Sequence, residues 1–164
     1  AEARGLGTAV DVKLIEADVC NCAEVLGSAG AGGPGFDLVV DKSTTDALLC
    51  DVQHGMSTVR KAMAQVAKLV LPGGCFFLVS HNSLPPDERG RNGQSKRRPA
   101  WFNAVARGLQ EGDTASSAMQ WALEVHRPTS TSGPTVYLFR RQRRSARGTL
   151  GGSAALLWTE HSYG

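Results

Sequence analysis

Hydrophobic residues in the first half of this chain occur in short, nearly continuous runs that are separated by polar and glycine-rich stretches. Residues 10–17, 36–40 and 75–79 form three such runs. Runs of this length predict strands, and the continuity of the second and third runs is typical of a sheet that is covered on both faces. The pattern therefore predicts three strands before residue 80.

The period of a helix follows the second of these runs. Over residues 57–71 the apolar positions recur at spacings of four, three and four, at Val59, Met63, Val66 and Val70. This spacing predicts a helix with Ser57 as its N-cap and with Pro72-Gly73-Gly74 as its end. A short helix is predicted at residues 21–26, and a further helix is predicted to begin near Trp101.

Two alternating segments follow later in the chain. Residues 120–127 and 135–141 alternate apolar and polar positions around a loop that contains Ser-Gly-Pro, a pattern that is typical of an antiparallel hairpin. The stretches 27–35 and 81–99 are rich in glycine or in proline and arginine, and they are predicted to be loops. Residues 142–164 have little periodicity, and a basic, disordered tail is predicted there.

The order of these elements predicts an α/β fold. We expect a mostly parallel sheet with a C-terminal antiparallel hairpin and one reversed strand at its edge. Ligands bind outside the carboxyl ends of the strands in such sheets. Asp18, Asp41 and the Ser80-His81 turn each follow a predicted strand. They are therefore expected at the same rim of the sheet.

Length and composition are those of one ordinary globular domain. The chain has 164 residues, of which 41% are hydrophobic and 20% are charged, and these values argue against wholesale disorder. No apolar run approaches the roughly 18 residues that cross a bilayer, so no membrane partner is expected. Four cysteines are too few for a secreted disulfide scaffold. We expect free thiols in a reducing compartment such as the cytoplasm, although the sequence leaves the localisation open.

Positive charge collects in two segments of a chain whose net charge is +3. Such segments attract anionic partners or simply stay solvated, and we expect solvated loop and tail charges here. Neither segment contains an aromatic residue on which bases could stack, so a nucleic-acid partner has little support. The basic residues are Arg89, Arg91, Lys96, Arg97 and Arg98 in the loop, and Arg140, Arg141, Arg143, Arg144 and Arg147 near the end.

Two further groups of residues are candidates for a metal site or another functional site. Cys20, Cys22, Cys50 and His54 match no common spacing of zinc ligands, so no metal site is expected. His81 follows the third predicted strand, and it is either a site residue by position or a solvent-exposed side chain.

Four features, in this order, resemble the C-terminal two-thirds of the class I, seven-stranded S-adenosylmethionine-dependent methyltransferases. They are the strand ending in Glu16-Ala17-Asp18-Val19, the strand and turn Phe36-Asp37-Leu38-Val39-Val40-Asp41-Lys42, the helix into Leu71-Pro72-Gly73-Gly74 with its strand, and the closing hairpin. The stretch Asp41-Lys42-Ser43-Thr44-Thr45-Asp46-Ala47-Leu48 is similar to the branch that methylates lysines of translation elongation factors. Asp-Lys-Gly-Thr-Leu-Asp-Ala-Leu is typical of that branch, so Ser43 replaces its glycine and Thr45 its leucine.

The resemblance implies a partial Rossmann-like methyltransferase domain at residues 1–141, followed by the tail at 142–164. It implies a methyltransferase that uses S-adenosyl-L-methionine as its cofactor and a protein, through a lysine side chain, as its substrate. The resembled domain's first strand, glycine-rich loop and second strand would precede residue 10. The glycines of residues 5–7 and 30–35 do not stand between a strand and a helix, as that loop requires. We therefore expect an incomplete domain that is not competent by itself.

The resemblance also implies roles for single residues. Asp18 would contact the exocyclic amine of adenine, and Val19 would lie beside the ring. Asp41 would bind at the methyl end of the cofactor and act as the catalytic residue, where the sulfonium methyl meets the nucleophile. Lys42 and Asp46 follow it and are either part of the site or loop ion pairs. The alternative function is a non-catalytic remnant that binds a protein or RNA through its basic loop and tail.

Overall fold

Four helices and five strands make up the part of the chain that the computed structural model describes, which is residues 12–28, 35–84, 98–113, 119–129, 133–144 and 157–163. In chain order the elements are α1 (Cys22–Ser28), β1 (Phe36–Lys42), α2 (Thr44–Leu49), α3 (Gly55–Leu69), β2 (Val70–Ser80), α4 (Ala100–Gly112), β3 (Met119–Pro128), β4 (Thr135–Arg143) and β5 (Leu157–Tyr163).

The strands form one sheet in the order β1-β2-β4-β3-β5. β1 is parallel to β2, β4 is antiparallel to both β2 and β3, and β3 is parallel to β5. Four strands therefore share one direction and β4 alone runs against them. The predicted α/β fold, mostly parallel with a C-terminal antiparallel hairpin, is confirmed. The predicted place of the reversed strand is wrong, because β4 pairs on both sides and lies inside the sheet.

The hydrophobic core lies between one face of the sheet and two helices, α3 and α4, which pack against each other. Alternate residues of β2, β3 and β4 point into this core, as the period of two in a strand requires. Its rings are in contact: Phe76 stacks on Phe139 with 5.7 Å between ring centroids, and Trp101 meets Tyr137 edge-on at 5.6 Å. The largest fully buried side chains are Tyr137, Phe76, Phe102, Phe139, Met63, Leu78, Leu84, Leu109, Leu123, Val59, Val70 and Val105.

The N-cap of α3 lies three residues before the predicted Ser57, and the helix ends two residues before the predicted Leu71. Its N-cap is His54, and the Ser57 hydroxyl donates to the His54 carbonyl at 2.7 Å from inside the first turn. Val70 is already extended, so the helix passes directly into β2. Pro72-Gly73-Gly74 lies within β2, where the pairing shifts from Phe36–Val70 to Leu38–Cys75 and Gly73 has φ +90°. The Pro-Gly-Gly segment is thus a bulge.

Two predictions about strand environment are wrong. Residues 12–18 form no strand, and Val12 and Leu14 are 72% and 93% exposed. An apolar run becomes a strand only where a neighbouring strand pairs with it, and no described strand lies beside these residues. In β1, Leu38 and Val40 are 55% and 58% exposed. The described part of the chain therefore covers the sheet at β1 on one face, not on both.

The C-terminal region is more ordered than predicted. β4 extends to Arg143, and β5 pairs in parallel with β3, so residues 142–164 are not wholly a disordered tail. The part of the predicted tail at 145–156 lies outside the described residues. So do 29–34 and 85–97 of the two predicted loops, and with them most of the first basic segment. The predicted hairpin and the helices near 21–26 and Trp101 are confirmed as β3–β4, α1 and α4.

No helix in the described ranges combines the length and the apolar character that crossing a membrane would require.

One of the arginines predicted to be solvated is buried. Arg141 is 8% exposed, and its guanidinium donates to the Asp113 carboxylate at 2.5 Å and to the Val70 carbonyl. Asp113 is the C-cap of α4, and Val70 joins α3 to β2. The single side chain of Arg141 therefore ties both helices to the sheet. Its neighbour Arg140 instead pairs with Glu124 at 2.7 Å on the opposite, more exposed face.

We expect Arg141→Ala to lower the free energy of unfolding by about 3–5 kcal/mol, because it leaves the Asp113 carboxylate buried and unpaired. Arg60→Ala breaks an exposed pair with Glu111 between α3 and α4 and serves as the control. Chemical denaturation of both variants should place the Arg60 variant much closer to the wild type. Equal losses would contradict the tying role of Arg141.

Candidate functional site

The parallel strands β1 and β2 end side by side and bring the candidate residues to one rim of the sheet. Asp41 lies opposite Leu78 and Lys42 opposite Val79 in the register. The Ser43 N–H then donates to the Val79 carbonyl at 3.2 Å. The predicted rim, with Asp41 beside the Ser80-His81 turn, is therefore where the structure places these two segments.

The Asp41 carboxylate holds the start of α2. One oxygen accepts from the Thr44 N–H at 2.8 Å, and the other accepts from the Thr45 N–H at 3.1 Å and from the Thr45 hydroxyl at 2.6 Å. The first N–H groups of a helix have no partner within the helix, and a carboxylate both satisfies them and suits the positive end of the helix dipole. Asp41 is thus fixed in orientation by the segment that follows it.

Ser43 occupies a backbone conformation that favours glycine. Its φ is 69° and its ψ is 0°, which is left-handed, and it alone among the described non-glycine residues has a positive φ. A β-carbon there costs about 1–2 kcal/mol. The motif that residues 41–48 resemble has glycine at this position, a residue that adopts such a backbone without strain.

Asp46 joins α2 to the end of β2. Its carboxylate accepts from the Ser80 hydroxyl, from the His81 N–H at 3.0 Å and from the Asn82 side-chain amide at 2.9 Å. Burial alone would raise the pKa of Asp46, but hydrogen bonds from Ser80, His81 and Asn82 outweigh it and lower that pKa. Asp46 thus lies at the rim and binds the turn through hydrogen bonds, and a role in the site stays a prediction.

The turn after β2 is also held from the hairpin. The Tyr137 hydroxyl donates to the Asn82 carbonyl at 2.8 Å and accepts from the Leu84 N–H at 3.0 Å, while an Arg127 N–H donates to the Leu84 carbonyl. Burial raises the pKa of Tyr137, which keeps its proton available for donation. His81 contributes its backbone N–H, and its side chain is exposed.

Asp18 and Val19 do not end a strand. Asp18 is exposed and begins a turn into α1, where its side chain accepts from the Cys20 N–H at 2.9 Å. Val19 is half-buried and packs against the hydrophobic core. The Cys20 thiol lies 3.9 Å from the Thr58 carbonyl in the first turn of α3. The strand on which their predicted roles were based is absent, and the roles themselves stay predictions.

The four residues considered as zinc ligands do not come together as a metal-binding group within the described part of the chain. The Cys22 thiol donates to the Val19 carbonyl at 3.3 Å, and His54 lies beside Asp51 at 3.5 Å. Burial raises the pKa of both Cys20 and Cys22, which disfavours the thiolate form that binds metals.

Sequence reasoning missed Asn82 and Tyr137. Tyr137 lies on the buried side of an alternating strand, which indicates packing, but its hydroxyl bond to Asn82 spans 55 residues and no local pattern marks it. Ser80 carried a positional signal, because it ends an apolar strand at the rim. Its partner Asp46 was left open between a site residue and a loop ion pair, because no local pattern shows that it reaches Ser80, 34 residues away.

Comparisons with known proteins give a fold likeness alone. No family model matches the sequence, and no curated protein is similar enough in sequence to count as a relative. Two solved structures of a Thermus thermophilus protein that is assigned as a DNA modification methylase resemble the chain. One is a selenomethionine derivative, with 11% identity and a TM-score of 0.45, and the other is complexed with S-adenosyl-L-methionine, with 14% identity and a TM-score of 0.37.

Each of these matches covers 81% of this chain and 53% or 54% of the solved structure. The chain therefore spans about half the length of the proteins it resembles. At such TM-scores the likeness is too loose to assign the chain's activity.

Ser43→Gly should raise the free energy of unfolding by about 0.5–1 kcal/mol, because it relieves the left-handed backbone at that position. The matched control is Ser57→Gly, in the first turn of α3, which should lower it by about 0.5 kcal/mol since glycine weakens a helix more than serine does. Denaturant titration of both variants measures the two signs. A loss of stability in both would contradict the account of residue 43.

Asp46→Asn should destabilise the protein by about 1.5 kcal/mol at neutral pH, as expected for losing hydrogen bonds to a charged acceptor. Because the folded-state pKa of Asp46 is depressed, its contribution is complete above the unfolded value of about 4 and is lost as the pH falls through the folded value. Unfolding curves measured from pH 7 to pH 2 should therefore converge for the wild type and the variant. Curves that stay parallel would show that the Asp46 charge does not hold the turn.

Proposed function

We propose that this chain carries the rim of an S-adenosyl-L-methionine-dependent methyltransferase at which the methyl group meets its acceptor. One observation carries the proposal: Ser43 is left-handed, and it stands two residues after the Asp41 carboxylate at the end of the parallel strand β1. The motif that residues 41–48 resemble has glycine at the same place. The backbone conformation of the turn thus supports the resemblance at a position where the residue is serine instead of the motif's glycine.

The described residues fit one end of the cofactor. When bound, S-adenosyl-L-methionine supplies a methyl group on a sulfonium cation. The carboxylates of Asp41 and Asp46 both lie at this rim, and a carboxylate beside the sulfonium would favour its charge. The other end is not provided for, because within the described ranges no strand runs through a glycine-rich loop into a helix. The fit supports a partial cofactor site.

In this proposal Asp41 and Asp46 have different tasks. Asp46 positions the Ser80–Asn82 turn, whereas Asp41, whose oxygens are held by Thr44 and Thr45, would orient an incoming amine or favour the sulfonium charge. Lysine of a protein is proposed as the acceptor from the resemblance of residues 41–48. Asp18 is proposed as the partner of the adenine amine, since its carboxylate is exposed and accepts a hydrogen bond from the Cys20 N–H.

Titration of the 164-residue chain with S-adenosyl-L-homocysteine, followed by NMR, tests the proposal. We expect saturable binding weaker than micromolar, because the missing backbone donors are worth about 1 kcal/mol each. The shifted amides should lie at residues 18–20, 41–46 and 80–82. Asp18→Ala should weaken binding about tenfold or more, while Asp37→Ala, at the opposite end of β1, should not.

Absence of binding at millimolar ligand would contradict a methyltransferase, and micromolar or tighter binding would contradict an incomplete site. A second measurement supplies radiolabelled cofactor with a lysine-rich protein or with DNA as acceptor, at a saturating concentration that compensates for the weak binding of an incomplete site. Label in protein lysine, reduced by Asp41→Ala more than cofactor affinity is reduced, supports the proposed acceptor and the role of Asp41. Label in DNA would contradict a lysine acceptor and would identify DNA as the acceptor instead.

The rival function is binding of a protein or RNA through the basic segments. The structure already uses several of the later arginines internally, since Arg141 pairs with Asp113, Arg140 with Glu124, and Arg144 donates to the Met119 carbonyl. No described observation favours this rival over the rim.

A further inference from the structure

Three potential metal ligands lie together on the open face of the sheet, away from the rim. Glu124 and His126 are alternate residues of β3, so they share the face opposite the helices. His161 of β5 stands directly opposite His126 in the parallel register, and the two imidazole rings stack with 4.8 Å between centroids at 17°. The sheet itself therefore sets the spacing of these groups.

The ligand atoms of this group are close enough to share an ion. One nitrogen of each histidine and one carboxylate oxygen all lie within 4.8 Å of one another. Ligands of a tetrahedral zinc ion stand about 3.3 Å apart, given zinc–nitrogen distances of about 2.0–2.1 Å. Rotations that move each atom by roughly an ångström would complete the site, and all three side chains are exposed or half-buried.

Glu124 is held in an orientation that suits this role. Its Oε1 accepts from the Arg140 guanidinium at 2.7 Å, while its Oε2 lies 3.7 Å from Nε2 of His126. One oxygen is thus fixed by a neighbour and the other faces the histidines, the arrangement by which outer groups commonly orient a metal-binding carboxylate.

We propose that Glu124, His126 and His161 bind a zinc-class divalent ion on the open face of the sheet. Two imidazoles and a carboxylate are ligands that zinc accepts, and three protein ligands leave a fourth position for water. The site is distinct from the rim. Across the sheet, Lys42 at the rim is followed in the pairing register by Val79, Val136, His126 and His161. Lys42 and His161 are therefore about 19 Å apart, at strand spacings of about 4.8 Å.

Such an ion would join β5 to β3 through side chains as well as through the backbone. β5 is an edge strand and is the last described element of the chain. A ligand that binds only the folded arrangement stabilises it in proportion to its occupancy. Bound zinc should therefore raise the melting temperature of the protein as well as occupy the site.

The test is competition titration of the intact chain with Zn²⁺ against a chromophoric chelator. The chain has four histidines, and the two outside the site, His54 and His81, are both exposed and provide matched controls. His126→Ala and His161→Ala should each weaken Zn²⁺ binding at least about tenfold, as should Glu124→Gln. His54→Ala and His81→Ala should change it by less than about twofold.

A measurement on the wild type does not depend on whether the variants fold. Added Co²⁺ is paramagnetic and should broaden the ring-proton NMR signals of His126 and His161 before those of His54 and His81. The proposal would be overturned if the chain showed no saturable Zn²⁺ binding. It would also be overturned if the His54 or His81 variants lost as much Zn²⁺ affinity as the site variants, or if replacing cysteines abolished binding instead. The group would then be a stacked histidine pair with a surface ion pair.

Discussion

Direct contact between the backbones of α3 and α4 is the constraint on which the rest of this structure depends. It is possible because α4 carries glycine at two positions one turn apart. A β-carbon at Gly108 would come within 2.4 Å of the Arg60 carbonyl oxygen, and one at Gly112 within 2.1 Å of the Ala64 carbonyl oxygen. Real β-carbons do not approach other atoms so closely. The two helices therefore lie at a separation that no other residue at these positions permits.

This contact is transmitted to the candidate site through a series of packed elements. The close pair presents one apolar surface to the sheet, which the rings of Phe76, Tyr137 and Phe139 fill. α3 in turn begins against the end of α2, where a β-carbon on Gly55 would lie 2.5 Å from the Leu48 carbonyl oxygen. α2 carries Asp46, which holds the turn after β2. The geometry of the rim thus depends on helix packing about the two glycines of α4.

Sequence pattern predicted those elements whose signal is local. The apolar run of β2, the spacing of Val59, Met63 and Val66 in α3, and the alternation of the hairpin each reflect contacts that repeat along one element. Asp41 could be found because it ends a strand. The strand predicted at residues 10–17 is wrong, because an apolar run does not reveal whether a partner strand lies beside it.

The remaining features depend on contacts between residues far apart in the chain. Gly108 and Gly112 are indistinguishable in sequence from glycines that merely weaken a helix, and only the approach of α3 gives them their role. The register of β5 on β3, which places His161 opposite His126, is likewise set by pairing across more than thirty residues. The β-branched and aromatic residues of Leu157–Tyr163 were a strand signal, but residues 142–164 as a whole have little periodicity and a tail was predicted.

The measurement that tests this account most directly is the unfolding free energy of Gly112→Ala compared with Gly27→Ala. Both glycines are helical, but nothing lies within 4 Å of a β-carbon at Gly27 in α1. The account predicts a loss of about 2 kcal/mol or more for Gly112→Ala, as overpacking requires, and an unchanged or slightly higher stability for Gly27→Ala. A Gly112→Ala protein as stable as the wild type would contradict the claim that backbone contact between α3 and α4 sets the fold.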